Sequence, residues 1–158
     1  MYELARNPDI QETLREEILK SLKETNGVLT YEAVTGMKYL EKVINETLRK
    51  YPAVEMLVRK ASNYYPIEGT PHTIPENTLV FIPVYTVHHD PNIYPEPDKF
   101  DPERFNEMNV RSRHPYTYLP FGEGPRNCIG MRFGLLQTRI GIITMLRNYR
   151  LTVCQKTP

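Results

Sequence analysis

The spacing of apolar residues predicts a helix near the start of the chain. Apolar side chains recur there every four positions, at Ile10, Leu14, Ile18 and Leu22. This interval places them on one helical face. Asn7 followed by Pro8 is typical of a helix start, and Gly27 is typical of a helix end.

A second apolar face predicts a longer helix that begins near Met37. Its apolar side consists of Leu40, Val43, Ile44, Thr47 and Leu48. Pro52 disfavours helical geometry at Tyr51 and so ends this helix. Between the two helices, Thr30 is placed to cap a short helical turn that runs through Val34. We therefore expect a helix pair over residues 8–50.

Residues 53–120 have a different pattern, with short apolar runs between turns. Twelve of the 14 prolines lie between Pro52 and Pro125. Residues 56–60 and 78–82 are rich in branched and apolar residues, which favours strands. Residues 64–67 and 72–74 are expected to pair as a hairpin. Most of the remainder, up to Pro120, is expected to form loops and short turns.

The last helix is predicted over residues 129–147, and its apolar residues are spread over nearly the whole circumference of the helix. They are Met131, Phe133, Leu135, Leu136, Ile140, Ile142, Ile143, Met145 and Leu146. A helix of this kind belongs in the middle of a larger protein. Apolar and polar residues alternate over residues 149–153, which predicts a strand. The whole chain, residues 1–158, therefore indicates one incomplete domain that is mainly α with small β-sheets.

Composition and charge exclude several classes of protein. The net charge of +1 gives no field that would attract nucleic acid. No stretch of eighteen apolar residues is present, and the first residues lack the apolar region of a signal peptide. Cys128 and Cys154 are the two cysteines. A disulfide between them is one alternative, although two isolated cysteines are more typical of a protein in a reducing compartment.

The segment with the clearest chemistry is residues 121–130, Phe-Gly-Glu-Gly-Pro-Arg-Asn-Cys-Ile-Gly. It places Cys128 in a loop just before a predicted helix, where free N–H groups favour a thiolate, a good iron ligand. The glycines permit close approach of a flat ligand. Arg126 is placed to meet a carboxylate on that ligand, and Phe121 to shield the sulfur. The alternative is a buried structural cysteine in a glycine-rich turn.

Two charged segments upstream are each weak signals. Glu46 and Arg49 share a helical face, which by itself indicates only a surface ion pair. Arg104 lies in the segment Pro-Glu-Arg-Phe, which has an apolar residue at each end. Taken together, these residues predict a buried Glu–Arg–Arg cluster with bidentate contacts to Glu46. A zinc site formed by His88, His89, His114 and Cys128 is a further alternative, but its spacing matches no common zinc pattern.

In this order along the chain, the three segments resemble the C-terminal third of a cytochrome P450, a haem-thiolate monooxygenase. The pattern Phe-x-x-Gly-x-Arg-x-Cys-x-Gly is complete, and the resemblance covers essentially all 158 residues. The chain is most similar to the microsomal animal members that oxidise xenobiotics, including insect detoxification enzymes. The resemblance implies haem b, iron protoporphyrin IX, as the cofactor.

The resemblance also implies roles for individual residues. Cys128 is the expected iron ligand, and Arg126 and Arg59 are expected to bind the haem propionates, although Arg59 could instead be an exposed charge at a strand end. Further residues expected near the haem are Pro120, Phe121, Gly122, Ile129 and Gly134. Glu46, Arg49 and Arg104 correspond to a structural triad that retains haem. The expected lining of the substrate pocket is Ala53, Val54, Glu55, Met56 and Leu57. Glu55 either favours a polar or basic substrate or faces outward.

The activity implied for the parent protein is the insertion of one oxygen atom from dioxygen into a small apolar substrate. Electrons come from NADPH through NADPH–cytochrome P450 reductase. The acidic reductase would meet a basic face formed by Lys99, Arg111, Arg113 and Arg132, unless these residues form an ordinary solvated surface. The implied location is the cytoplasmic face of the endoplasmic reticulum membrane, through an N-terminal anchor absent from this chain.

The sequence leaves two other functions open. The oxygen-activating acid–threonine pair of the family is expected upstream of residue 1, so we identify no catalytic residue within the chain and expect the isolated chain to be inactive. One alternative is a member that rearranges peroxides without using oxygen. The other is a truncated, non-catalytic product.

Overall fold

The structure is a computed structural model that describes residues 1–157, and Pro158, the last residue of the predicted domain, lies outside them. The chain is mainly α with two small antiparallel sheets, as predicted. Its helices are α1 (Tyr2–Arg6), α2 (Pro8–Glu24), α3 (Tyr31–Gly36), α4 (Lys38–Lys50), α5 (Val84–His88), α6 (Glu107–Ser112) and α7 (Met131–Asn148). Its strands are β1 (Leu57–Lys60), β2 (Tyr65–Pro66), β3 (Thr73–Ile74) and β4 (Leu79–Ile82). Short 3₁₀ turns cover Pro102–Phe105, Pro115–Thr117 and Gly124–Arg126.

The ends of the first helices agree with the sequence prediction in most details. The Thr30 hydroxyl accepts a hydrogen bond from the N–H of Ala33 and caps α3. The N–H of Gly27 donates to the carbonyl of Leu22 just after α2 ends. Asn7 differs, because its side-chain amide donates to the backbone oxygen of Glu3 at 2.8 Å and does not cap α2. The Asn7 amide therefore stabilises the turn between α1 and α2.

The strands pair as two separate two-stranded sheets. β1 pairs antiparallel with β4, with Leu57 opposite Ile82, and β2 pairs with β3. The predicted strand at residues 149–153 is wrong. The backbone N–H and C=O of Leu151 both bond to the side-chain amide of Gln11, at 2.7 and 2.9 Å, so this segment packs on α2 without a strand partner.

The hydrophobic core lies among α2, α3, α4 and α7. Its fully buried side chains include Leu14, Ile18, Val34, Leu40, Val43, Ile143 and Leu146. The carboxylate of Glu17 on α2 accepts the N–H groups of Tyr39 and Leu40, both at 2.8 Å. This contact caps the start of α4 and fixes α4 against α2.

α7 is only partly covered. Ile143 and Leu146 are buried, but Phe133, Ile140 and Met145 are 73%, 41% and 40% exposed. The helix therefore keeps an apolar surface in contact with solvent, in line with the pattern read from its sequence. Within residues 1–157, no helix combines the length and apolar character needed to cross a membrane.

Candidate functional site

The cysteine loop, residues 121–130, is closed by its own backbone. The N–H of Cys128 donates to the carbonyl of Phe121 at 2.8 Å. Gly122 and Gly124 have φ values of 72° and 80°, a region that L-residues with a side chain rarely adopt. These two glycines allow the chain to double back within a few residues and return Cys128 beside Phe121.

Cys128 lies two residues before Gly130, the residue that precedes α7. Its side chain is exposed, as are those of its neighbours Asn127 and Ile129. A Cβ placed on Gly130 would lie 4.0 Å from the Cys128 sulfur, so the thiol sits over the start of the helix. The alternative of a buried structural cysteine is therefore wrong, and so is a disulfide, because Cys128 and Cys154 are both free thiols.

Strand β1 approaches the cysteine loop through two side chains. A Cβ on Gly122 would lie 3.8 Å from the Nη2 atom of Arg59 and 3.8 Å from the Cδ1 atom of Leu57. Arg59 is partly buried there, so it is not a fully exposed strand-end charge. The loop and the β1–β4 sheet enclose a cleft of 370 Å³, lined by Leu57, Arg59, Ile82, Tyr116, Leu119, Glu123 and Gly124.

The two arginines of the site have no acidic partner in the part of the chain that the structure describes. Arg126 is exposed on the cysteine loop, and Arg59 borders the cleft beside it. Among residues 1–157, neither guanidinium is within ion-pairing distance of a carboxylate. Two guanidinium groups without an acidic partner, one on the cysteine loop and one beside it, are suited to a ligand that carries carboxylates of its own.

The donor set fits the haem expected from the sequence. The site offers one accessible sulfur, two unpaired cations and the exposed apolar side chains of Ile129 and Phe133. No group of three or more His, Cys, Asp or Glu side chains in the described part of the chain is arranged to hold a metal ion, which removes the zinc alternative. A single soft thiolate suits an iron already held by a macrocycle better than a bare hydrolytic metal.

Glu46 and Arg49 form a buried ion pair on α4. Both side chains are 0% exposed, and the guanidinium binds the carboxylate through two bonds of 2.7 and 2.9 Å. The weaker interpretation, a surface ion pair, is therefore wrong. Arg49 also donates to the carbonyls of His88 and Pro97, at 3.0 and 2.8 Å. The pair thus fastens α4 to the segment that follows α5.

Arg104 joins this pair less tightly than expected. Its Nε atom lies 3.4 Å from the Glu46 carboxylate but makes no hydrogen bond, whereas its Nη2 atom donates to the carbonyl of Glu96 at 2.9 Å. The structure brings Glu46, Arg49 and Arg104 together, but only Arg49 is bidentate to Glu46. Arg104 contributes through its charge and through the contact with Glu96.

The segment Ala53–Leu57 is largely uncovered. Ala53, Val54, Glu55 and Met56 are exposed, and only Leu57 is partly buried, at the cleft. The backbone carbonyl of Glu55 accepts the N–H of Tyr85 at 3.1 Å, which fixes the path of the segment. Of the other residues expected near the haem, Pro120 is partly buried before the cysteine loop, and Gly134 has open space beside it on α7.

The expected basic face is smaller than the sequence suggested. Arg113 packs over the rings of Tyr94 and Phe105, with its guanidinium carbon 4.9 and 5.2 Å from their centroids. Burial lowers the pKa of Arg113, which acts as an internal packing residue. Lys99, Arg111 and Arg132 are exposed, although Arg111 lies 3.6 Å from Glu107.

His88 has a role that its sequence neighbourhood did not indicate, since residues 88–91 resemble a turn of the family and the zinc site was only an alternative. The structure places this side chain fully buried, between α4 and the start of the cysteine loop. No local sequence signal indicates this burial, because both ring hydrogen bonds of His88 are with residues distant in sequence.

Comparisons with known proteins identify related sequences over the whole length of the chain. The family model described as Cytochrome P450 matches residues 1–158. The chain is 49% identical to "Probable cytochrome P450 6a13" of Drosophila melanogaster, over 99% of the chain and 32% of that protein. It is 49% identical to "Cytochrome P450 9e2" of Blattella germanica, over 98% of the chain and 29% of that protein. It is also 47% identical to "Cytochrome P450 6A1" of Musca domestica, over 99% of the chain and 32% of that protein. The chain thus spans about a third of the length of the curated relatives it matches.

Proposed function

The chain belongs to the cytochrome P450 family, and on that premise we propose that it supplies the thiolate side of a haem-binding monooxygenase site. The observation that carries the proposal is the exposed Cys128, held at the start of α7 by a self-closed loop beside two unpaired arginines. We further propose that residues 1–158 are part of a larger P450 domain. The exposed apolar side of α7 supports that view.

In this proposal the cofactor is haem b and Cys128 is its iron ligand. Arg126 and Arg59 bind the two propionates, since both lie at the loop and neither has an acidic partner among the described residues. Phe121 packs beside the sulfur and limits its contact with water. The residues that border the macrocycle are Pro120, Gly122, Ile129 and Gly134. Glu46, Arg49 and Arg104 hold α4 and the segment behind the loop in place and take no part in proton transfer.

The bound haem would supply the reductive activation of dioxygen, while the chain binds and orients the cofactor. One oxygen atom would enter a small apolar substrate. Ala53–Leu57 would line part of the substrate pocket, because Leu57 already borders the cleft beside the loop. The side chain of Glu55 is exposed. No contact among the described residues indicates that it binds the substrate. We identify no catalytic acid or base in the chain.

The proposed electron donor is an NADPH-dependent flavoprotein, NADPH–cytochrome P450 reductase, at the endoplasmic reticulum membrane. Support comes from the exposed cations Lys99, Arg111 and Arg132, which are available to an acidic surface. The three relatives named above come from insects, and we propose xenobiotics as the substrate class.

An isotope experiment tests the reaction. The protein is expressed from its complete open reading frame and mixed with the reductase, NADPH, ¹⁸O₂ and an apolar substrate that yields an alcohol. A monooxygenase incorporates one labelled oxygen atom into the product and requires NADPH. Turnover of a lipid hydroperoxide without NADPH, together with no label in the alcohol, would show that the protein rearranges peroxides instead.

A further inference from the structure

His88, the last residue of α5, is an imidazole enclosed entirely by protein. Its side chain is 0% exposed. The ring stacks on Tyr118, with centroids 5.4 Å apart and planes inclined by 26°, and meets the edge of Tyr94 at 6.5 Å. A buried polar ring requires hydrogen-bond partners, and the identity of those partners defines its protonation.

Both ring nitrogens of His88 have a backbone partner. The Nε2 atom lies 2.8 Å from the backbone nitrogen of Leu119, and the Nδ1 atom lies 3.2 Å from the backbone oxygen of Arg49. An N–H group can only donate, so Nε2 must be unprotonated. A carbonyl can only accept, so Nδ1 must carry the proton. The geometry therefore assigns His88 one neutral tautomer.

The same contacts connect α4 to the cysteine loop. Arg49 donates from its side chain to the backbone carbonyl of His88 at 3.0 Å, so the two residues are bonded in both directions. Beyond Leu119, the N–H of Gly122 donates to the Leu119 carbonyl at 3.2 Å, and the N–H of Cys128 donates to the carbonyl of Phe121. A short series of hydrogen bonds thus runs from the end of α4 to the cysteine.

We propose that His88 is a positioning residue for Cys128, acting through its hydrogen bond with the N–H of Leu119. That bond fixes the point where the chain enters the cysteine loop relative to the buried Glu46–Arg49 pair. The inference rests on the proposed function, in which the Cys128 thiolate binds haem iron. Without the bond, the Leu119 N–H is buried and unpaired, and the loop can adopt positions in which the sulfur no longer holds the metal.

Two conservative substitutions separate this role from simple packing. In His88→Gln, the carboxamide reaches about as far as Nε2, and its oxygen can accept the Leu119 N–H. In His88→Asn, the carboxamide reaches only to the position of Nδ1, so it can donate to the Arg49 carbonyl but leaves Leu119 unpaired. Both replacements are neutral, polar and smaller than histidine. His88→Phe retains the ring but makes neither bond.

The first measurement is amide hydrogen exchange at Leu119, in the protein expressed from its complete open reading frame. We expect slow exchange in the wild type and in His88→Gln, and exchange faster by about tenfold or more in His88→Asn and His88→Phe, because a buried hydrogen bond is lost. Equal exchange in all four proteins would overturn the proposed bond.

The second measurement is the spectrum of the reduced, CO-bound haem complex, which distinguishes thiolate-ligated iron from iron without a thiolate. We expect the wild type and His88→Gln to be mainly thiolate-ligated, and the other two variants to contain several times more of the second form. If the wild type is thiolate-ligated and the three variants are alike, this inference fails and the proposed function stands. If the wild type itself lacks the thiolate form, the proposed function fails and this inference fails with it.

Discussion

The side chains that bear most on stability are Glu46 and Arg49. Both are fully buried, and each compensates the charge of the other. We expect Glu46→Gln to lower the free energy of unfolding by about 3–5 kcal/mol, because it leaves the Arg49 guanidinium buried without a counter-charge. Chemical denaturation of the complete protein measures this change.

The matched control for that variant is Arg111→Met. Arg111 and its partner Glu107 are 82% and 85% exposed, so water screens their pair. We expect this change to cost less than about 1 kcal/mol. Equal losses for Glu46→Gln and Arg111→Met would contradict the assignment of a structural role to the buried pair.

The enclosure of His88 predicts a dependence of stability on pH. Burial, followed by the neighbouring Arg49 cation, lowers the pKa of His88 to about 4, although its backbone contacts with Arg49 and Leu48 act in the opposite direction. The unfolded chain, with a histidine pKa of about 6.5, binds this proton more readily than the folded chain. The stabilisation that comes from keeping His88 neutral is therefore complete above about pH 6.5. It is lost as the pH falls toward 4, which lowers the free energy of unfolding by about 3 kcal/mol.

This pH effect is isolated by comparison with His88→Gln, which cannot titrate. Arg49 and His89 also face this region and are unchanged in both proteins. Denaturant midpoints measured between pH 4 and 7 should converge or cross as the pH falls, since only the wild type loses the His88 contribution. Parallel curves for the two proteins would show that the pKa of His88 is the same in the folded and unfolded chains, and would contradict this expectation.

Several residue-scale features could be predicted from sequence and others could not. The Thr30 cap depends on neighbours three residues away and was predicted correctly. The packing of Arg113 on Tyr94 and Phe105 and the enclosure of His88 depend on segments brought together by folding. Local sequence patterns do not report such contacts, so Arg113 was assigned to an exposed face.

At the scale of elements, α7 offers a matched pair of glycines. Gly134 and Gly141 are seven residues apart, which places them on the same helical face about 10 Å apart along the axis. A Cβ on either would meet no atom within 4 Å. We expect Gly134→Leu and Gly141→Leu to favour the helix about equally, because leucine is the better helix former.

The two variants should differ in cofactor binding. If haem lies against the first turn of α7, the Gly134→Leu side chain occupies its place, whereas Gly141→Leu is two turns away. We expect haem content per mole of purified protein to fall several-fold in Gly134→Leu and to be unchanged in Gly141→Leu. Normal haem content in Gly134→Leu would place the cofactor elsewhere.

The elements themselves were predictable where the signal is local. Periodicity located α2, α4 and α7 within a few residues, since a helix makes its backbone bonds within itself. The strand expected at residues 149–153 failed because a strand requires a partner, and Leu151 bonds to the Gln11 side chain instead. The position of β1 beside the cysteine loop, which brings Arg59 to Gly122, likewise depends on tertiary packing.

At the scale of the whole molecule, the surface is large for the mass. The accessible area is 10994 Å² for a chain of 18.5 kDa. A compact monomer of this mass would expose roughly 8,200 Å². The excess includes apolar side chains such as Ile129 and Phe133, which are 105% and 73% exposed. Such a surface favours association with further polypeptide.

We therefore expect the isolated 158-residue chain to bind haem weakly or not at all and to be largely unfolded or aggregated. The cofactor would meet protein on one side only, and the apolar side of α7 would face water. Size-exclusion chromatography, circular dichroism and haem titration of the purified chain measure these properties. A monomeric, folded chain with one haem bound per molecule would contradict this expectation.

Cys128 is the proposed iron ligand, and the two cysteines of the chain allow a direct test of that assignment. Cys128→Ser and Cys154→Ser are each prepared in the protein expressed from its complete open reading frame, and the spectra of the reduced, CO-bound complexes are recorded. Both thiols are free and exposed, so the substitutions are matched in chemistry and accessibility. We expect Cys154→Ser to keep the thiolate-ligated spectrum of the wild type and Cys128→Ser to lose it. A thiolate-ligated spectrum in Cys128→Ser would show that Cys128 is not the iron ligand.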